Sequence, residues 1–159
     1  KTMNDSHHPY TIPVYTLHLV QERQECFDPI TAPARVAESL KDIATADREH
    51  VVCLFLDTRN RAIARQTIGI GTLNASLVHP REVFKAALLC NANGIVLAHN
   101  HPSGDRAPSS ADDAITRRIF RSGKLLGIDL IDHVILTPSG TFYSFREEQP
   151  QLFQGGEDL

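Results

Sequence analysis

No hydrophobic run in this sequence approaches the roughly 18 residues that a membrane-spanning helix needs, so no such span is expected. The first ten residues, KTMNDSHHPY, have no apolar stretch, and no secretory signal peptide is expected. Cysteine is scarce. Cys26, Cys53 and Cys90 are odd in number, far apart and without a Cys-x-x-Cys pair. Neither a disulfide framework nor a thiolate zinc cage fits that pattern, and a reducing cytoplasm is the expected compartment. An excess of positive charge is also missing. A formal net charge of −3 offers no general attraction to nucleic acid or to an anionic membrane.

What is present is one domain's worth of chain. The 159 residues are 42% hydrophobic and 22% charged, the balance of an ordinary globular protein. TIPVYTLHLVQER alternates like a strand. TAPARVAESLKDIA places Val36, Leu40 and Ile43 at helical spacing, with Thr31 as a candidate cap. HVVCLFLD is a continuous apolar run, as in a strand buried on both faces, and RAIARQTIGIG reads as its returning hairpin partner. REVFKAALLCNAN reads as a helix beginning just after Pro80. GIVLAHN predicts a second buried strand, SSADDAITRRIFRSGKLLG a helix, and DHVILTPSGTFYSF two strands around a Pro-Ser-Gly turn. Strands mixed with helices, without repeats, predict an α/β three-layer sandwich around a mixed sheet. The expected organisation is an N-terminal extension with a strand over 1–30, a single domain over 31–149 and a flexible tail over 150–159.

The most informative stretch is GIVLAHNHPSGDRAPSSADD, from Gly94 to Asp113. Side chains alternate along a strand, so His99 and His101 point the same way and Asn100 the other. Two imidazoles at a strand end form half of a metal site, and a catalytic zinc takes about three protein ligands plus an open position for water. Asp112 is placed to be the third ligand: the PSGDRAP loop turns the chain, a helix starts near Ser109, and Asp112 lies in its first turn.

Plainer explanations stand beside these. Ser109 with Asp112, or Ser110 with Asp113, would make an N-capping box with no chemistry attached. His133, after the apolar GIDLI, reads as a structural histidine rather than a ligand. His7 and His8 lie in a frayed terminus. Arg117, Arg121 and Lys124, with Arg118 beside them, could touch phosphates, but such a stripe is more simply the solvated face of an amphipathic helix.

HNHPSGDRAPSSADD resembles the signature of the JAB/MPN-type (JAMM) metalloproteases in the form carried by RadC-like proteins: His-x-His, ten residues, Asp, with a Ser three positions before the Asp. LFLDTRNRAIA, VHPREVFKAAL, LLGIDLIDHVIL and YSF resemble RadC segments in the same order, so the likeness covers roughly residues 35 to 147. It implies the JAB/MPN, deaminase-like sandwich and a Zn2+ held by His99, His101 and Asp112. Activity would be hydrolysis of a peptide or isopeptide bond, on a peptide or a ubiquitin-like protein. Ser109 would donate to the oxyanion and a glutamate would act as general base. The resemblance places that glutamate at Glu49, and Glu82 is the rival, its plainer role being a first-turn acid at a helix N-terminus.

Other functions fit less well. RadC-like proteins carry an additional N-terminal helical region suggestive of DNA binding, and the residues ahead of the first buried strand are too few for it. IGIGTLNASL mimics the Gly-x-Gly hairpin of a helix-hairpin-helix module, but the segment before it reads as a strand. A nuclease commonly needs a second metal. Only Asp105 and Asp113 are close enough to help, and Asp113 should point about 100° around the helix from Asp112. A nucleobase deaminase would need His-x-Glu followed by Pro-Cys-x-x-Cys, and neither is present. Nucleic acid is therefore a disfavoured partner, no membrane partner is expected, and the oligomeric state is left open, with a homodimer among the options.

Overall fold

The computed structural model describes residues 11–71 and 78–154. Its elements are α1 (Pro33–Ser39), α2 (Lys41–Ala44), β1 (His50–Leu56), β2 (Ala62–Ile70), α3 (Pro80–Leu89), β3 (Gly94–Asn100), α4 (Ser110–Leu126), β4 (Asp129–Leu136), β5 (Phe142–Ser144) and α5 (Phe145–Glu148), with a 3-10 helix at Pro150–Phe153. The five strands form one open sheet in the order β2-β1-β3-β4-β5. β1 runs antiparallel to β2 and β3, β3 runs parallel to β4, and β4 antiparallel to β5, so the sheet is mixed.

The two central strands are apolar nearly throughout because both their faces are covered. Val52, Leu54, Leu56, Val96, Ala98, Val134 and Leu136 pack with Val36, Leu40 and Ile43 of the α1–α2 layer. The alternate residues Val51, Cys53, Phe55, Ile95 and Leu97 pack with Val83, Phe84 and Ala87 of α3 and with Ile115 and Ile119 of α4. The result is the expected three-layer sandwich. Each fully buried aliphatic side chain contributes about 1.5–3 kcal/mol, and that burial holds the strand ends bearing the site. Among the described residues no helix is long and apolar enough to cross a membrane.

Helix α4 is the element that matters most for the site. Ser109 caps its start in a capping box with Asp112, and Gly127 at φ 69° closes its end in the left-handed conformation. A Cβ at Gly123 would overlap the Ile128 carbonyl oxygen, so the helix end packs directly on the chain entering β4.

Four local expectations are corrected. TIPVYTLHLVQER is not a strand: among the described residues it pairs with no strand, and Val14, Tyr15 and Val20 are 94%, 80% and 84% exposed. Alternation provides one face of a strand, but only a partner supplies its hydrogen bonds. The single helix over TAPARVAESLKDIA breaks at Leu40, whose φ of −113° and ψ of 28° leave the helical region as the side chain turns into the core. Its N-cap is Ala32 rather than Thr31, with no side-chain cap. The tail is ordered at its start, where Leu152 is buried and the Phe153 ring meets Phe120 edge-on at 5.6 Å. His7 and His8, the TLNASL part of the decoy motif and residues 155–159 lie outside the described residues.

Candidate metal centre

β3 pairs with β1 so that Val51 faces His99, and the alternation that turns Leu97 toward α4 turns His99 the same way. His101 follows just past the strand end, its N–H held by the Leu136 carbonyl at 2.8 Å. The next seven residues form a tight turn. Gly104, at φ 83°, donates its N–H to the His101 carbonyl, and the Asp105 carboxylate accepts from the Ala107 N–H at 2.9 Å. The chain thereby returns to Ser109 and enters α4 directly over the two histidines.

Three side chains converge there. His99 Nε2 lies 3.0 Å from His101 Nε2 and 3.2 Å from Asp112 Oδ1, and His101 Nε2 lies 3.5 Å from Asp112 Oδ2. One ligand atom from each residue falls within 4.8 Å of the others. His99 and Asp112 are 0% and 1% exposed. Asp112 Oδ2 accepts from the Ser109 N–H at 2.7 Å and the Ser109 hydroxyl at 2.8 Å. Oδ1 is buried without a hydrogen-bond partner among the described residues; His99 Nε2 approaches it off the line of a hydrogen bond.

Whether this cluster suits a cation depends on its donors and acceptors. The Asp105 carbonyl, 2.7 Å from His101 Nδ1, can only accept, so a neutral His101 carries its proton on Nδ1 and turns a bare Nε2 inward. That lone pair, a second imidazole nitrogen and an orphaned carboxylate oxygen face one small volume. Two imidazoles and one carboxylate suit a divalent cation of zinc's character, and the residues fit it. The electrostatics agree. Burial opposes the charge on Asp112, but His101, His99 and the Ser109 N–H hold its carboxyl well below the usual range. The Asp112 carboxylate raises the His101 pKa against the burial that lowers it, with the Asp105 carbonyl and the charge of Glu49 adding to the rise.

The remaining sequence-predicted residues divide clearly. Glu49, half-buried, immediately precedes β1; continuing the β1–β3 pairing outward brings it opposite His101, where its charge is felt. Glu82 instead pairs with Lys85 at 2.9 Å on the exposed face of α3, and that pairing lowers its pKa. Ser109 is bound into the capping box, so the plain and the chemical readings of Ser109-x-x-Asp112 describe one arrangement. Ser110 and Asp113 make no second box. Asp113 turns away to accept from Gln149 at 3.0 Å, and the Asp105 carboxylate closes its own loop. On the α4 face Arg117 and Arg121 are exposed, Arg118 meets His79 and Lys124 pairs with Asp129.

Sequence reasoning missed three contributors. Asn100, between the histidines but facing the other way, accepts from the His50 N–H at 2.6 Å and donates to the carbonyls of Arg48 and Ala46 at 2.9 and 3.3 Å. It clamps the segment that carries Glu49. His133, fully buried, sits with Nε2 at 2.8 Å from His99 Nδ1, and Thr116 Oγ1 lies 2.6 Å from His133 Nδ1. Burial, then the neighbouring His99, push the His133 pKa well down, so its ring is neutral.

Comparison with known proteins agrees with this architecture. The RadC-like JAB domain family matches residues 30–150. The chain belongs to that family. Its relatives include a UPF0758 protein of Desulforamulus reducens, 50% identical over 101 residues, which are 64% of this chain and 43% of that protein. Another, from Halalkalibacterium halodurans, is 44% identical over 133 residues, 83% of this chain and 56% of that one. The UPF0758 protein YsxA of Bacillus subtilis is 46% identical over 109 residues, or 69% and 47%. This RadC-like chain therefore spans about half the length of the curated relatives it matches.

Proposed function

We propose that this RadC-like JAB domain is a single-metal hydrolase of peptide or isopeptide bonds. The observation that carries the reading is the convergence of His99 Nε2, His101 Nε2 and the unpartnered Asp112 Oδ1 in a buried cluster with no donor of its own when the imidazoles present their lone pairs. His99, His101 and Asp112 would hold zinc. When bound, the metal would polarise a carbonyl oxygen and lower the pKa of a water at the site. Glu49, on the same sheet face as His99 and beside His101, takes the water's proton and returns it to the leaving amine. Asn100 fixes the backbone from which Glu49 projects. Ser109 stands at the N-terminus of a long helix, where N–H groups favour developing negative charge. Its hydroxyl rotates from Asp112 toward the oxyanion as charge builds.

The substrate class is a peptide amide or a ubiquitin-like protein conjugate, and the compartment is the reducing cytoplasm, in keeping with three unpaired cysteines. Phosphodiester cleavage would more commonly need a second metal, and Asp105 and Asp113 are committed elsewhere. Glu49→Gln should retain zinc and lose hydrolysis by on the order of 10²–10⁴-fold. The assay presents ubiquitin-like and short peptide-amide substrates beside plasmid and single-stranded DNA. Zinc-dependent DNA cleavage that survives Glu49→Gln, without peptide hydrolysis, refutes the assignment.

A further inference from the structure

The hydroxyl of Thr116 lies 2.6 Å from the backbone carbonyl of Asp112 and 2.6 Å from His133 Nδ1. His133 Nε2 lies 2.8 Å from His99 Nδ1, and His99 Nε2 lies 3.0 Å from His101 Nε2. The Phe145 ring stacks on His133 with centroids 4.9 Å apart and 9° between planes, which fixes the imidazole in line. Every link but the last is buried, and each buried contact is short enough to require one donor and one acceptor.

The ends of this chain are constrained. The Asp112 carbonyl can only accept, and the Asp105 carbonyl forces a neutral His101 to present a bare Nε2. With one proton on each neutral ring, only one arrangement satisfies all the buried contacts. In it, Thr116 donates to the Asp112 carbonyl, His133 Nδ1–H donates to Thr116, and His99 Nδ1–H donates to His133 Nε2. His99 then turns a lone pair toward His101 and Asp112. The reverse order, with Thr116 donating to His133 Nδ1 and His99 Nε2–H to His101, leaves the Thr116 oxygen and the Asp112 carbonyl 2.6 Å apart with no proton between them, and is excluded.

We propose that Thr116 and His133 are positioning residues that set the tautomer of His99, through a buried hydrogen-bond wire whose single register leaves His99 Nε2 bare toward the metal site. The inference rests on the metal-site reading above. Partners behind a metal-binding imidazole fix its tautomer in this way, and their loss costs about 10–100-fold in metal affinity.

Two measurements on the full chain test it. Long-range ¹H–¹⁵N correlation spectra of the histidine rings, recorded near pH 9, should show Nδ1–H tautomers of His99 and His133 both without metal and with zinc. Chelator competition should show Thr116→Val losing about 10–100-fold in zinc affinity and Thr116→Ser staying near wild type, since serine restores the hydroxyl. Nε2–H tautomers of His99 and His133 in the metal-free protein, or wild-type affinity in Thr116→Val, overturn the wire while leaving the metal site standing. If Thr116→Val does not fold, the wild-type spectra alone decide. A wild-type protein that takes up no zinc overturns the metal reading and the wire together.

Discussion

Replacing Asp112 by asparagine and by alanine separates two roles that the structure gives one carboxylate. Oδ2 closes the capping box with Ser109, whereas Oδ1 is buried and unpartnered beside His99. Asparagine keeps an oxygen for the cap, and alanine removes it. Loss of the cap bond costs about 1–2 kcal/mol. In a chain of 159 residues that lowers the melting temperature by about 2–8 °C. Asparagine forfeits about 0.3–1 kcal/mol of attraction between the carboxylate and the helix N-terminus. It gains by no longer burying an incompletely solvated charge. Measured without metal at pH above the His101 titration, Asp112→Asn should therefore melt within about 1 kcal/mol of wild type, and Asp112→Ala clearly below both. Zinc should reverse the order. At free zinc 100-fold above its dissociation constant, wild type gains about 2.7 kcal/mol, or about 5–11 °C, and neither variant should follow. Calorimetry with and without chelator reads both effects. An Asp112→Asn protein as unstable as Asp112→Ala without metal would falsify the division of Asp112 into a capping and a ligand oxygen, and a full zinc upshift in Asp112→Asn would remove Asp112 from the ligand set.

Metal-free stability should fall as pH rises. His101 has a folded pKa above its unfolded value near 6.5, so its contribution is complete below about 6.5 and is lost as pH climbs through the raised folded value. Denaturant titrations across that range should show the slope, and Asp112→Asn should flatten it. Asn100→Leu should cost about 2–4 kcal/mol and speed amide exchange at His50, because it strips one buried acceptor and one donor bridging three backbone groups. Unchanged exchange at His50 would show that the segment carrying Glu49 is held by something else. Gly123→Ala should lower the melting temperature despite alanine's better helix propensity, because its Cβ meets the Ile128 carbonyl. A gain in stability would mean that the α4–β4 junction gives way without strain.

The fold was legible wherever burial imposed a pattern. HVVCLFLD and GIVLAHN read as strands covered on both faces, and the capping signals around Ser109 and the glycine at 127 bracket α4. Legibility failed where a pattern was satisfied locally but not by a partner. TIPVYTLHLVQER alternates as a strand should, yet no strand lies alongside it among the described residues. Leu40 keeps helical spacing with Val36 and Ile43, yet its backbone leaves the helix so that its side chain can enter the core.

The site divides along the same line. His99, His101 and Asp112 were readable because two short-range rules, strand alternation and first-turn helix geometry, act within fourteen residues of one another. His133 was not, and the reason is a single register shift. Leu130 packs toward α4, and simple alternation from it would send His133 to the opposite face, with Val134 toward α4. The β3–β4 pairing slips between Ile95 and Val96, where Leu130 and then Asp132 are the partners, and the slip reverses the parity of the later β4 residues. Val134 joins the α1–α2 layer, and His133 turns onto His99. Nothing in LIDHVIL marks the slip, because a bulge depends on two strands and the sequence of one does not record it. The plain reading of His133 as a buried structural histidine and its place behind a candidate ligand are both correct, and only the register of the neighbouring strand connects them.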